Sequence, residues 1–255
     1  MNRSRPDDMA SSPAPRHVVQ LGLWTSILTA VTTTAALVIA VTLAPARSGP
    51  NCPPLVNMGV VESCVTYPYT DVAAYVPTEY IWMYPATLLA LLFVVLVTSI
   101  HECLAKTRPI FSRIALAFAG IAAAVHTINY SIQIAVVQPS LVNGELEGLA
   151  LFSQYNPHGI FIALEDLGYL MMGITFLFVA VALDRRGKLV LAIKATFLIG
   201  AVLTVGGLIV QAWIYGFGLE YRYEVLSLTV DWVVLIVAGA MLSVLFGRSL
   251  RTTSR

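Results

Sequence analysis

Side chains that can donate, accept or carry protons recur inside stretches of this sequence that are otherwise apolar. One group lies within a single stretch and consists of His126, Asn129, Tyr130 and Gln133. At about 100° per residue, these side chains fall on one stripe of a helix, about 100° wide. Because a polar stripe on a membrane helix faces protein or water rather than lipid, we expect all four to point into the protein.

Carboxylic acids occur at two further places in apolar surroundings. Glu165 and Asp166 are adjacent, so on a helix they point about 100° apart, and Asp166 shares its face with Tyr169. Asp231 is followed by Trp232 in the last apolar stretch. A charged side chain at the centre of a bilayer costs about 2.5–3.5 kcal/mol to insert. Each of these acids must therefore be paired, protonated or hydrated.

These residue types are suited to acid–base chemistry or to ligand binding. A carboxylic acid that a low-dielectric site keeps protonated is a general acid. We assign this hypothetical role first to Asp231 and second to Glu165, with His126 as a base or orienting residue. Aromatic rings would shield a carbocation by cation–π contact. The candidate ligand-binding residues are Asn129, Tyr130, Gln133, Asp166, Tyr169, Gln211, Trp213 and Trp232.

Simpler roles are open for several of these candidates. Asn and Gln side chains in membrane helices often form interhelical hydrogen bonds, and His126 is also explained as a packed histidine of the bundle interior. Trp213 and Trp232 have the position of interfacial anchors.

Six apolar stretches must position these side chains. The chain has 255 residues, of which 58% are hydrophobic and 11% charged, whereas soluble domains carry about 25% charged residues. Stretches long enough to cross a bilayer core, about 20 residues, cover residues 18–43, 81–100, 114–137, 160–183, 189–215 and 225–246. Helix is expected for all six, because an open strand in lipid leaves backbone groups unpaired. The sequence therefore predicts an all-α membrane protein, a six-transmembrane-helix bundle.

Basic residues orient this bundle. All 15 Lys and Arg residues except Arg47 and Arg222 lie at the ends or in connections that share one side, and such positive charge marks the cytoplasmic side. We therefore predict that both termini are cytoplasmic. The start of the chain loosely resembles a cleaved signal peptide. Signal h-regions span about 7–15 residues, however, so we expect the longer first stretch to be retained as an anchor.

The predicted membrane domain covers residues 18–247, between a disordered tail at 1–17 and a short cytoplasmic tail at 248–255. Residues 45–80 form the one long outer loop, whose prolines and tyrosines favour a folded structure. This loop holds Cys52 and Cys64 on the predicted oxidising side, where a disulfide can form, with redox chemistry as the alternative. The segment His101-Glu102-Cys103 lacks the second histidine of a zinc-protease helix, so no metal site is predicted.

The polar candidates also share a depth. Counted from the predicted outer ends of the helices, the outer half of the bilayer contains His126, Asn129, Gln133, Glu165, Asp166, Gln211 and Asp231. We therefore predict one polar chamber that faces outward beneath the outer loop. His101 lies at the opposite depth from His126, which disfavours a bis-histidine haem, and no cofactor is predicted.

One segment of the sequence resembles a known group of proteins. Residues 154–169, QYNPHGIFIALEDLGY, together with Asn129-Tyr130 and residues 137–140, VQPS, resemble an uncharacterised family of bacterial multi-pass membrane proteins with a domain of unknown function. The resemblance is limited to the third and fourth spans. It implies a bacterial inner-membrane protein and carries no activity with it.

Three functions follow from these observations. The first is binding or carrying a small amphiphile or lipid, with a head group in the polar chamber. The second is an integral-membrane enzyme that uses a buried carboxylic acid on an isoprenoid-like substrate. It has the residue types of sterol-isomerase-like proteins and membrane terpene cyclases, by chemical analogy alone. The third is an accessory subunit whose outer loop binds a partner. The net charge of +1 gives no reason to expect nucleic-acid binding, and the oligomeric state is left open.

Overall fold

A computed structural model describes residues 14–104, 108–184 and 187–253 of the chain. The predicted disordered tail at residues 1–17 lies outside the described residues except at its end, where Arg16 already begins a helix. The basic residues Lys106, Arg185, Arg186 and Arg255 also lie outside them. At the other end, the last helix continues through Thr253, so most of the predicted tail at residues 248–255 is helical.

The described residues are helical and contain no β-strand. The α-helices are α1 (Arg16–Leu43), α2 (Cys52–Asn57), α3 (Met83–Leu104), α4 (Pro109–Ile132), α5 (Gln138–Asn143), α6 (Ile160–Ala182), α7 (Lys188–Tyr215) and α8 (Tyr221–Thr253). Six of them are long and apolar enough to cross a membrane, namely α1, α3, α4, α6, α7 and α8. The predicted number of spanning helices and the all-α class are therefore confirmed.

The third spanning helix is longer than its predicted range. A π-helical turn, Gln133–Val137, joins α4 to α5, so the helical path continues to Asn143. Pro139 has no backbone N–H and cannot make the regular bond to a residue four positions earlier. A wider π turn just before a proline lets the chain continue as a helix despite this lost bond.

The six long helices form a closed ring. Each packs against its neighbours in the chain, and α1 closes the ring against α8. The pairing of α1 with α8 is antiparallel, because Gly22 adjoins Phe246 whereas Ser26 adjoins Gly239. The helices α6 and α8 also contact each other across the ring. Both ends of the described chain thus lie at one end of the bundle, the terminal end, and we call the opposite end the loop end.

The loop end is covered by a folded cap, which we define as residues 44–82 and 144–159. A disulfide joins Cys52 to Cys64, as the sequence predicts. Hydrogen bonds connect the two parts of the cap: Ser48 Oγ donates to the Tyr155 carbonyl oxygen at 2.6 Å, and Ser153 Oγ donates to the Tyr69 carbonyl oxygen at 3.0 Å. A disulfide and hydrogen bonds from serine hydroxyls to backbone carbonyl oxygens therefore hold the cap together.

Close approach between α4 and α6 depends on Gly168. An added β-carbon at this position would lie 2.6 Å from Cε1 of His126. That ring is itself held between other rings, since its centroid is 4.5 Å from that of Tyr169 and 5.6 Å from that of Tyr130. Small residues let membrane helices pack closely in this way. Towards the terminal end, aromatic residues such as Phe93 and Phe176 fill the ring, with centroids 5.9 Å apart.

We expect the variant Gly168→Ala to lose about 1–3 kcal/mol of stability, because the added methyl group overpacks the interface beside His126. Gly120→Ala is the matched control: it lies on α4, and an added β-carbon there meets no atom within 4 Å. Alanine in place of glycine should raise helix stability by up to about 1 kcal/mol. Thermal unfolding in detergent measures both. Equal melting temperatures for the two variants would contradict the tight contact.

Candidate functional site

A hydrogen-bonded group of side chains joins α4 to α6 inside the ring. The Tyr130 hydroxyl donates to Glu165 Oε1 at 2.8 Å and lies 3.2 Å from the Tyr169 hydroxyl. Four residues make up this polar core, and all are at least 98% buried: His126, Tyr130, Glu165 and Tyr169. The sequence places each of them among the candidates, and the structure brings them into contact.

Glu165 has a second acidic neighbour that the sequence analysis did not include. The carboxyl group of Glu224, in the first turn of α8, lies within hydrogen-bonding reach of the Glu165 carboxyl. Because two ionised carboxylates have no donor between them, a hydrogen bond here requires one shared proton. Glu224 lies one position before the sixth predicted span, residues 225–246, and so falls in the connection that precedes it. A signal was present, since Glu224 precedes Asp231 by seven residues and shares its helix face.

Asp231 is held at a different point of the interior. Its Oδ1 accepts a hydrogen bond from the Thr204 hydroxyl at 2.5 Å, which links α8 to α7. Asp231 is fully buried, and its neighbour Trp232 is 1% exposed. Asp166 is only partly buried and interacts electrostatically with Glu224. All four acids of this region are therefore on α6 and α8, the two helices that touch across the ring.

The predicted amide side chains have structural partners. Asn129 Nδ2 donates to the Phe161 carbonyl oxygen at 3.0 Å, and Gln133 Nε2 donates to the Phe152 carbonyl oxygen at 2.6 Å. Both bonds tie the end of α4 to the cap and the start of α6. The Asn129 bond is interhelical, as the simpler interpretation of the sequence expects, whereas the Gln133 bond joins the helix to the cap.

Two candidates on α7 lie apart from the polar core. Trp213 is 90% exposed on the outside of the ring, so it does not line a chamber, and its place fits an anchor at the membrane interface. Gln211 is partly buried on the same helix, with its Oε1 unpaired among the described residues. Helical periodicity alone cannot tell which face of α7 points inward, because both faces are apolar.

A cavity of about 170 Å³ lies between the cap and the loop-end ends of α1, α6 and α8. Its polar lining consists of Arg47, Ser48, Asn51, Glu79, Gln154, Tyr155, Tyr221 and Glu224, and its apolar lining includes Ala40, Ala44, Trp82, Phe161, Ile162, Val225 and Leu228. None of the candidate residues from the sequence lines it. The polar core of His126, Tyr130, Glu165 and Tyr169 packs below this cavity, and Glu224 lies between the two.

An ion pair and a phenol hold the cap at this cavity. Arg47 Nε lies 2.5 Å from Glu79 Oε1, and the Arg47 guanidinium stacks over the Tyr75 ring at 3.7 Å. The Tyr155 hydroxyl donates to Glu79 Oε2 at 2.7 Å. Burial raises the pKa of the Tyr155 phenol, which keeps it a donor at any physiological pH. Both oxygens of Glu79 and the charge of Arg47 are thereby occupied within the cap.

Trp82 separates this cavity from a much smaller one. The smaller space, about 10 Å³, is lined by Ala86, Leu89, Ala90, His126, Tyr130, Tyr169, Met172 and Trp232, and is about what one water molecule requires. The Trp82 ring lines the larger cavity and contacts Tyr130 and Trp232, with centroid distances of 5.4 and 6.1 Å. Neither ring nitrogen of His126 has a hydrogen-bond partner among the described residues. His126 thus faces a separate small space.

Within the part of the chain that the structure describes, no three His, Cys, Asp or Glu side chains are grouped so that they could hold a metal ion. The chain matches no protein-family model, no curated protein and no solved structure. Its function must therefore be inferred from the residues and geometry of the site itself.

We expect Tyr130→Phe to lose about 1–3 kcal/mol of stability, because Glu165 Oε1 would lose its buried donor. Tyr84→Phe is the control: it makes the same change at a residue that is 53% exposed on α3. Thermal unfolding of both variants in detergent tests this, with Glu165→Gln and the double variant completing a cycle. A coupling energy near zero between positions 130 and 165 would show that the bond contributes nothing.

Proposed function

We propose that this protein is a bacterial inner-membrane protein, with both termini cytoplasmic, that binds or carries a small amphiphile or membrane lipid. The head group would occupy the cavity beneath the cap. The observation that carries the proposal is this cavity, at the loop end of a membrane bundle, with a polar side and an apolar side. The predicted orientation makes it face outward.

Charge supports that orientation. The described basic residues at the terminal end are Arg16, Arg108, Arg113, Lys188, Lys194, Arg248 and Arg251. At the loop end the two arginines are each paired with an acid, Arg47 with Glu79 and Arg222 with Glu220. An excess of positive charge belongs on the cytoplasmic side. The disulfide of the cap also suits the oxidising side of the membrane.

The position of the cavity's mouth supports an amphiphilic ligand. Val225 is the one largely exposed residue among those that line the cavity, at 47%. It belongs to the first turns of α8, beside the end of α1 that supplies Ala40 and Ala44. The opening therefore lies on the flank between α1 and α8, where an alkyl chain can leave the cavity along apolar surface. A purely water-soluble ligand would have no use for such an opening.

The volume also indicates which part of a ligand the cavity can hold. Pockets for whole drug-sized ligands have about 300–1,000 Å³, and this cavity has about 170 Å³. It accommodates a head group and the first atoms of a chain, with the remainder in the bilayer. Binding would then combine a few polar contacts with hydrophobic burial of the chain, at about 0.8 kcal/mol per methylene group.

An integral-membrane enzyme remains the alternative function. The geometry of the site favours a different general acid from Asp231, the first choice from the sequence. A general acid must reach the reacting atom. Asp231 lines neither of the two cavities described above, whereas Glu224 lines the larger one and lies beside Glu165. An enzyme would therefore use the Glu165–Glu224 pair, and a change in the mass of a bound compound during incubation would distinguish it from a carrier. An accessory subunit, with the cap as its partner surface, would hold no compound at all.

We expect Ala40→Phe to abolish retention of a bound amphiphile, because the new ring fills the apolar side of the cavity. The measurement is native mass spectrometry of the protein purified in a mild detergent. Wild type should carry a defined adduct that Ala40→Phe lacks.

Ala35→Phe is the matched control, since position 35 lies on the same helix but is exposed on the outside of the ring. It should keep the adduct. A bare mass for all three proteins would contradict amphiphile binding, and an adduct that survives in Ala40→Phe would place the ligand elsewhere.

A further inference from the structure

We infer that the head group is cationic, an ammonium group that binds at the Glu165–Glu224 pair and balances the negative charge that remains when these carboxyls share one proton. This inference rests on the proposed function, because it concerns the same cavity and names the class of its ligand. The inference is based on two features that lie side by side: an acid pair whose negative charge no basic residue neutralises, and the aromatic residues that line the cavity.

The charges around the cavity leave one negative charge unbalanced. Arg47 and Glu79 neutralise each other within the cap. Among the described residues, neither Glu165 nor Glu224 forms an ion pair with Lys, Arg or His. With one shared proton the pair carries a single negative charge. An isolated buried charge is costly, so a cation at this position would be favoured.

One oxygen of Glu165 has no fixed donor. The Glu165 side chain has no solvent exposure, and among the described residues its Oε2 has no donor apart from the proton shared with Glu224. Its Oε1 is already satisfied by Tyr130, so Oε2 is the atom left to face the Glu224 carboxyl. Glu224, in turn, is only partly buried because it forms part of the cavity wall. An ammonium group that donates an N–H to Glu224 would therefore also lie close to the fully buried Glu165.

The aromatic lining fits the same class of ligand. Trp82 lies in the cavity wall with Tyr155, Phe161 and Tyr221. Tryptophan is the best partner for a cation–π contact, which contributes about 0.5–2 kcal/mol depending on desolvation. Aromatic rings combined with a carboxylate are the usual means by which proteins bind quaternary ammonium groups.

Two features of the cavity favour an anionic ligand instead, but the positive charge that each contributes is smaller than the negative charge of the acid pair. The N-termini of α6 and α8 face the cavity, and each helix N-terminus is equivalent to about half a positive charge. Glu224 itself lies in the first turn of α8, where its negative charge offsets the positive end of that helix's dipole. Arg47 lines the cavity, but its charge is paired with Glu79. The net field at the acid pair is therefore set by its own full negative charge.

Binding of a cation to this negative charge depends on pH, because a second proton would neutralise the pair. The titratable or charged groups that face the pair from the surrounding elements are Arg47, Glu79, Tyr130, Tyr155, Asp166, Tyr169, Tyr221, Tyr223 and Asp231. None of these except Arg47 can supply a positive charge. Protons and the ammonium group compete for the same oxygens, so the affinity for a cationic ligand should fall as the pH is lowered.

Two chain-matched probes test the charge of the ligand: dodecylammonium and dodecyl phosphate, titrated by calorimetry into the intact protein in dodecyl maltoside. We expect the ammonium probe to bind wild type about tenfold more tightly than the phosphate probe, a difference of about 1.4 kcal/mol. Glu224→Gln should lose this preference while the phosphate probe binds at least as tightly as to wild type, which also reports that the cavity is still folded. Glu62→Gln removes the same charge from an exposed site of the cap and should behave as wild type.

The outcomes separate the two proposals. Equal binding of both probes, or tighter binding of the phosphate, overturns the cationic ligand and leaves amphiphile binding intact. An ammonium preference that persists in Glu224→Gln and in Glu165→Gln overturns the role of the acid pair. An ammonium affinity that does not fall between about pH 8 and about pH 5 overturns the competition with the proton. Binding of neither probe, together with a bare mass in native mass spectrometry, rejects the proposed function itself.

Discussion

The bilayer core contains no water to satisfy buried polar groups, so every such group in this bundle must find its partner inside the protein. Hydroxyl groups meet this need locally: Thr25, Ser26 and Thr33 donate to carbonyl oxygens four residues earlier in α1. A carboxyl group needs donors that its own helix does not offer. The donors to Glu165 and Asp231 therefore come from other helices, through Tyr130 on α4 and Thr204 on α7. These bonds help to determine which helices are neighbours.

The same constraint connects the polar core to the cavity. Tyr130 satisfies one oxygen of Glu165, and the other is left to Glu224, which belongs to both the core and the cavity wall. The cap, in contrast, is internally balanced, since Glu79 is occupied by Arg47 and Tyr155. A closed, neutral cap above an unbalanced acid pair creates a place where charge complementarity can select a ligand. Gly168 and the Trp82 ring keep the space beneath it small, so selection is confined to the head group.

The helix face was a correct guide on α4, where His126, Asn129, Tyr130 and Gln133 were predicted to point into the protein and all are buried. It did not show which residues of α6 they meet: Tyr169 was grouped with Asp166, yet Tyr130 contacts both Tyr169 and Glu165. Polar residues at one depth can pack against each other as well as surround a space. The space itself depends on the path of the cap and on how far α1 and α8 separate at the loop end, which no local pattern encodes.

The sequence by itself determined the class of the protein, its six spanning helices and the Cys52–Cys64 disulfide. These follow from hydropathy, from the length of chain that crosses a bilayer and from the small separation of two cysteines, all of which are local quantities. Only the tertiary structure decided that Glu224 lies beside Glu165, that Trp213 lies outside the ring and that Glu224 lines the cavity. Helices that are apolar on every face carry no periodic signal for rotation about their axes. Packing between helices distant in sequence sets that rotation, and with it the composition of the site.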